Sequence, residues 1–223
     1  PASTLGPTMP SVLSNGMIAP ITPFAVRGTI WYQGESNVGR AAQYRTLFPA
    51  LIQDWRSRFE NRDMPFFFVQ IAPFGYPDGD AAAKLREAQM FALSVPGTGM
   101  VCTMDLGNPK DIHPDNKQEV GRRLARWAFG RCYGVEDEHG NDIPFSGPIY
   151  RGDVVEEASI RCQFAFVEHE NGLRTDNGTE HGPLEGFLIA GEDRQFHQAE
   201  ARISGWDVVV SSPRVPQPVA VRY

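Results

Sequence analysis

Asp111-Ile112-His113, followed by Pro114, sets an acid and an imidazole two residues apart in one short stretch. In a loop, such a carboxylate can reach the ring, hold one tautomer and offset the charge gained when the ring takes a proton. The pair supplies two of the three members of a charge-relay set, with His113 as general base for a serine hydroxyl and Asp111 as its orienter. The same letters also read as a solvated turn in which Asp111 caps the following helix. A second polar stretch lies upstream. Thr29-Ile30-Trp31-Tyr32 is β-branched and aromatic, as a buried strand is, and it ends abruptly in Gln33-Gly34-Glu35-Ser36-Asn37. Functional residues in open α/β sheets gather at such strand ends. Gln33 brings an amide donor and Gly34 permits close backbone approach, which suits an oxyanion hole. A loop whose Gln33 and Glu35 bond only locally fits equally well.

Positioning those stretches requires a scaffold, and the pattern predicts one. Residues 41–59 place Tyr44, Leu47, Phe48, Leu51, Ile52 and Trp55 at helical spacing, with Arg45, Gln53, Asp54, Arg56 and Arg58 mostly elsewhere. Phe66-Phe67-Phe68-Val69-Gln70-Ile71 is a continuous apolar run between Pro65 and Pro73, the mark of a parallel strand buried on both faces. Helices are expected over 81–93 and 116–129, the second with Val120, Leu124 and Trp127 on one side, and a strand over 100–104 that delivers Asp105 and the Asp111–His113 loop. Strand–helix alternation of this kind makes a three-layer α/β/α sandwich. After residue 134 helical periodicity stops. Short β-like runs at 159–166, 186–190, 201–203 and 207–210, separated by Gly, Asn, Asp and Pro, read as a β-sandwich. The division expected is 1–133 and 134–223, with a linker over 133–148.

Composition narrows the function classes. The 223 residues are 41% hydrophobic and carry a formal net charge of −6. No basic stripe interleaved with aromatics points to nucleic acid, and no apolar run has the length of a membrane span. Cys102, Cys132 and Cys162 are widely spaced and form no metal motif; one disulfide plus a free thiol, or three buried thiols, both fit. His139, His169, His181 and His197 show no paired ligand spacing and read as surface residues. Asn177-Gly178-Thr179 is a glycosylation sequon.

Trp31-Tyr32-Gln33-Gly34-Glu35-Ser36-Asn37 followed by Asp111-Ile112-His113-Pro114-Asp115-Asn116-Lys117 resembles the sialate O-acetylesterase family, a carbohydrate-esterase branch of the SGNH (GDSL-like) hydrolases. Stretches at 15–20, 65–74, 85–89 and 186–196 and the carboxy-terminal run extend the resemblance over almost the whole chain. It implies an SGNH-like domain followed by a β-domain, hydrolysis of acetyl esters on sugar hydroxyls, and no metal or organic cofactor. It puts the triad acid and base on Asp111 and His113, the oxyanion amide on Gln33, and site-shaping roles on Gly34 and Glu35. Arg86 and Gln89, three apart on one helix face, are implied as sugar contacts; a surface salt link and a core-edge amide are the alternative. The family's nucleophilic serine lies on an early strand-to-helix turn. Ser3, Ser11 and Ser14 sit among Pro and Gly with no β-run before them, and the chain opens at Pro1 without a methionine. The expectation is therefore a fragment whose nucleophile lies outside it, inactive alone, from a periplasmic or secreted enzyme whose signal region is not in this chain. Two alternatives stay open. In one, Gly34-Glu35-Ser36-Asn37-Val38-Gly39 is a near-match to the nucleophile elbow of α/β-hydrolases, with Ser36 as nucleophile. In the other, the chain is a non-catalytic scaffold whose Trp31, Tyr32 and Tyr76 stack on sugars.

Overall fold

The computed structural model describes residues 6, 9–77, 79–167, 172–175 and 183–223. Ser3, His169, His181 and the sequon at 177–179 lie outside them. The chain divides into two compact units, Pro1–Phe145 and Ser146–Tyr223. The first unit runs past the texture change at residue 134 because Phe145 folds back onto Trp127, ring centroids 4.9 Å apart and edge-on. It occupies the space that a side chain at Gly130 would need.

In the first unit β1 (Thr29–Trp31), α1 (Ala41–Arg58), β2 (Phe66–Val69), α2 (Ala81–Phe91), β3 (Thr98–Val101) and α3 (Lys117–Ala128) alternate. The strands form a parallel sheet in the order β1-β2-β3, with Thr29 opposite Phe66 and Phe66 opposite Thr98. All four residues of β2 are buried. Strand alternation turns Phe66 and Phe68 to one face and Phe67 to the other. Phe48 of α1 meets Phe66 and Phe68 at 6.1 and 5.0 Å, whereas Phe67 meets Trp127 of α3 at 5.7 Å. Helices therefore cover both faces, and the layers are α/β/α as the alternation predicts. Gly99 on β3 has no Cβ to hold Trp127 off the sheet, and the indole N–H donates to the Met100 carbonyl at 3.0 Å.

Three local readings change. β1 is an edge strand, not a buried one, and Ile30 is 68% exposed. Leu47, placed on the apolar face of α1, is exposed, while Arg56, placed off it, is buried and donates to the carbonyls of Met64 and Pro96 at 2.9 and 2.8 Å. β3 stops at Val101, so Cys102-Thr103-Met104 belongs to the loop that follows. Among the described residues no helix is long and apolar enough to cross a membrane.

The second unit contains β4 (Ile149–Glu156), β5 (Ser159–Ala165), β6 (Pro183–Leu184), β7 (Leu188–Ala190), β8 (His197–Gln198), β9 (Glu200–Ser204), β10 (Asp207–Ser211) and β11 (Ala220–Arg222). One sheet runs β4-β5-β10-β9-β6 and the other β11-β7-β8. Ile160, Cys162, Ala201, Val208 and Val210 of the larger sheet share a core with Phe187, Ile189 and Val215. The result is a two-sheet sandwich. Cys102, Cys132 and Cys162 are all free thiols, exposed, half-buried and buried in that order, so no disulfide joins them.

Candidate active site

The three parallel strands end on one edge of the sheet, and each hands over to a polar loop: Gln33 after β1, Gln70 after β2 and Thr103 after β3. Side-chain-to-backbone bonds tie these ends together. Thr103 Oγ1 donates to the Gln70 carbonyl at 2.7 Å, and Gln70 Nε2 donates to the Arg86 carbonyl at 3.0 Å. Gln89 lies beneath them, fully buried on α2. Its Oε1 accepts from the Ile71 N–H at 2.9 Å, and its Nε2 donates to the carbonyls of Gln33 and Val69 at 3.1 and 3.4 Å. Gln89, expected at the sugar, is thus sealed from any ligand here and holds the Gln33 loop instead. A buried amide must find partners, and backbone ends of neighbouring strands supply them.

Gln33 is held at both ends. Its Nε2 donates to Asn37 Oδ1 at 2.8 Å, and the Tyr44 hydroxyl lies 3.2 Å from its Oε1 and 3.3 Å from its carbonyl. Gly34 has φ +153°, and a Cβ there would sit 2.9 Å from both Gln89 Nε2 and Ile71 Cγ2. The glycine is therefore required by the backbone angle and by the buried amide behind it. Ser36 lies exposed in the short turn Glu35–Asn37, without the positive φ of a strained elbow. Its carbonyl accepts from Arg40, and it caps no helix. Nothing here presents it as an elbow nucleophile.

Asp111 and His113 sit on the loop after β3. Asp111 Oδ1 accepts the His113 backbone N–H at 2.9 Å and stands 3.3 Å from the ring Nδ1. The hydrogen bond from the His113 backbone N–H holds the Asp111 carboxyl below its ordinary value. The imidazole is 85% exposed, so Nε2 is open to a reactant. Asn116, not Asp111, caps α3, its Oδ1 accepting from the Glu119 N–H at 3.1 Å. Arg123 closes the loop at its base. It donates to the Cys102 carbonyl at 2.7 Å, to both oxygens of Asp105 at 2.8 and 2.5 Å, and to Glu119 at 2.8 Å. With Arg122 and Arg123 bonded to it, the Glu119 carboxyl falls to about 2.

The loops after the three strands meet. Lys117 Nζ lies 5.0 Å from the Tyr32 ring centroid, joining the His113 side to the Gln33 side. The Gly75 N–H donates to the Pro109 carbonyl at 3.0 Å, joining the loop after β2 to the loop after β3. The buried hydroxyls of Tyr32 and Tyr76 have no hydrogen-bond partner among the described residues. Burial, then the Glu35 carboxylate, pushes both phenols up. Half-buried Arg86 has Cys102 and Tyr76 as electrostatic neighbours and no salt bridge among the described residues. Glu35, Arg86, Tyr32 and Tyr76 thus cluster at this edge. Trp31 belongs to the core, its ring against Phe48, Trp55 and Phe66 at 6.3, 5.6 and 6.2 Å, so it offers no platform for a sugar. No group of His, Cys, Asp and Glu among the described residues could hold a metal ion. Sequence reasoning missed Tyr44, Asn37 and Arg123; the legible signal was a tyrosine among the apolar positions of α1, since a buried phenol seeks a partner.

A family model described as carbohydrate esterase, sialic acid-specific acetylesterase, matches residues 13–129. Sialate O-acetylesterase from Homo sapiens is 34% identical over 167 residues, covering 66% of this chain and 31% of that protein. The Mus musculus protein of the same name is 33% identical over 164 residues, covering 65% and 29%. A solved structure of a carbohydrate acetylesterase from Xanthomonas citri superposes with a TM-score of 0.86 at 39% identity, covering 96% of this chain and 48% of that one. The chain thus spans about a third of the curated relatives and about half of the solved structure. With the family model matching more than half of its length, the chain belongs to the sialic acid-specific acetylesterase family of carbohydrate esterases.

Proposed function

We propose that this chain carries the acid, the base and the oxyanion donor of a carbohydrate O-acetylesterase, and that the nucleophilic serine comes from outside its 223 residues. The observation that supports this most is the Asp111–His113 pair: carboxylate at Nδ1, Nε2 free, on a loop linked through Lys117 and Tyr32 to the Gln33 turn. Among the described residues no serine hydroxyl bonds to that imidazole, which is what an external nucleophile requires. The free edge of β1, with Ile30 exposed on it, offers a place for a further strand to bring the serine alongside Gln33.

In this reading His113 Nε2 takes the serine proton as the oxygen attacks the acetyl carbonyl. Asp111 keeps Nδ1 protonated and offsets the imidazolium charge. The carbonyl oxygen becomes an oxyanion facing the remaining N–H of Gln33 Nε2. Collapse breaks the bond to the sugar oxygen, which leaves as an alcohol with the proton from His113. Water, deprotonated by the same ring, then attacks the acetyl-serine, and acetate departs as the serine is regenerated. Glu35 and Arg86 face the sugar, with the buried Tyr32 and Tyr76 hydroxyls behind them, whereas Gln89 acts through Gln33. The substrate is an O-acetylated sugar or glycan, and a periplasmic or secreted setting suits it.

The test is hydrolysis of p-nitrophenyl acetate. The chain alone is expected to be inactive. The esterase that contains it together with a serine-bearing segment is expected to be active and to lose turnover in His113→Ala. Turnover by the chain alone that disappears in Ser36→Ala refutes the external nucleophile, and unchanged turnover in His113→Ala refutes the base.

A further inference from the structure

Resting on the reading of Gln33 as the oxyanion donor, we infer that Tyr44 is a positioning residue that decides which end of the Gln33 carboxamide faces the reaction. An amide side chain has two nearly isosteric ends, a donor and an acceptor. Presented the wrong way round, Gln33 would set a carbonyl oxygen against a developing negative charge. Packing cannot choose between the ends, because they have the same shape. Only hydrogen-bond polarity can.

That polarity can be traced from the backbone. The Ile71 N–H donates, so Gln89 must turn its Oε1 toward it at 2.9 Å. Gln89 Nε2 then faces the Gln33 carbonyl at 3.1 Å and supplies a donor to it. The single Tyr44 proton goes to Gln33 Oε1, the nearer of its two acceptors at 3.2 Å and one with no other donor among the described residues, whereas the Gln33 carbonyl at 3.3 Å already accepts from Gln89. Oε1 is thereby held against α1. Nε2 points away from it and donates one proton to Asn37 Oδ1 at 2.8 Å, leaving the second for a ligand. Tyr44 is 5% exposed and packs on Phe48 with ring centroids 5.2 Å apart, so its hydroxyl does not wander. Burial raises the phenol above its ordinary value, and it stays a donor at neutral pH.

Tyr44→Phe removes the hydroxyl and keeps the ring. Two measurements decide the matter. In the chain itself, 15N–1H correlation spectra are expected to show restrained, separate side-chain NH2 signals for Gln33 in the wild type. In Tyr44→Phe they are expected to be mobile or doubled, while the backbone amides of β1–β3 stay in place. In the esterase that contains this chain, Tyr44→Phe is expected to lower kcat by about 10- to 100-fold with KM nearly unchanged, against about 100- to 1000-fold for removal of the donor in Gln33→Ala. A Gln33 amide signal unaltered by Tyr44→Phe, or an unchanged kcat alongside a damaged Gln33→Ala enzyme, overturns the inference and leaves the esterase reading standing. No loss of kcat in Gln33→Ala instead removes the oxyanion role itself. A Tyr44→Phe protein whose backbone spectrum collapses also counts against the inference, because the hydroxyl would then serve the fold and not the amide.

Discussion

Gly34→Ala is the sharpest single perturbation of this site. Two independent costs add at that position. The backbone sits at φ +153°, where an L side chain is strained by about 1–3 kcal/mol. The new methyl also lands 2.9 Å from Ile71 Cγ2 and from Gln89 Nε2, both on fully buried residues that cannot swing away. Overpacking of a filled core costs about 1–3 kcal/mol more. The sum, about 2–6 kcal/mol, is a large share of a domain's stability of about 5–15 kcal/mol. The assay is urea unfolding followed by tryptophan fluorescence. Trp31 stands just ahead of this loop, and Trp127 reports the opposite face of the sheet. The two costs can be separated in a double-mutant cycle with Ile71→Ala. Deleting the Ile71 side chain removes one clash but leaves the backbone strain, so the double variant is expected to be more stable than additivity predicts by about 1 kcal/mol. A Gly34→Ala protein within about 0.5 kcal/mol of wild type, the range of a neutral surface change, would show that the loop has room to move. The tight coupling of Gln33, Gly34 and Gln89 argued above would then be wrong.

The other expectations are simpler. His113→Ala should leave the unfolding midpoint of the chain unchanged within about 0.5 kcal/mol, because the ring is 85% exposed; a clear loss of stability would mean that the imidazole serves the fold. The Glu119 carboxyl is depressed from 4.5 to about 2, so its contribution to stability is complete above pH 4.5 and lost as pH falls toward 2. Glu119→Gln should therefore flatten the acid limb of the melting temperature measured from pH 2 to 6, and an unaltered slope there would discount the Arg122–Glu119–Arg123 network. Trp127→Phe leaves the Met100 carbonyl without its donor and should cost about 1–3 kcal/mol in denaturant unfolding. A cost near zero would mean that water reaches that carbonyl.

Some of this protein was legible residue by residue. Periodicity is a property of neighbours in the chain, so α1, α2 and α3 end within a few residues of where their patterns do, and the apolar run of β2 is buried throughout. The Asp111–His113 contact is likewise local, spanning two residues, and its chemistry follows from the residue types. In the second unit β5 and β9 alternate and the apolar run of β10 is buried throughout, but β4 is absent from the pattern. Tyr150, Val154 and Val155 lie exposed on this edge strand, so its apolar letters do not mark one buried face.

What the letters could not decide was which groups would share a neighbourhood. Thr29-Ile30-Trp31 reads as a buried strand because residue type reports preference for a sheet, not the number of neighbours the sheet provides. At the edge, Ile30 faces solvent. Gln89 and Arg86 look equivalent on one turn of α2, yet one is sealed and the other half-exposed, because the Ile71 N–H and the carbonyls of Gln33 and Val69 close over the Gln89 amide. The clamp from Gln89 to Gln33 spans 56 positions, and the Arg123 brace from α3 to the end of β3 spans 21. Such bonds exist only after helices pack on a sheet, since polarity can be matched across that distance only when packing has fixed the partners. Composition and spacing thus pointed to the candidate groups, and the parallel sheet brought their loops to one edge.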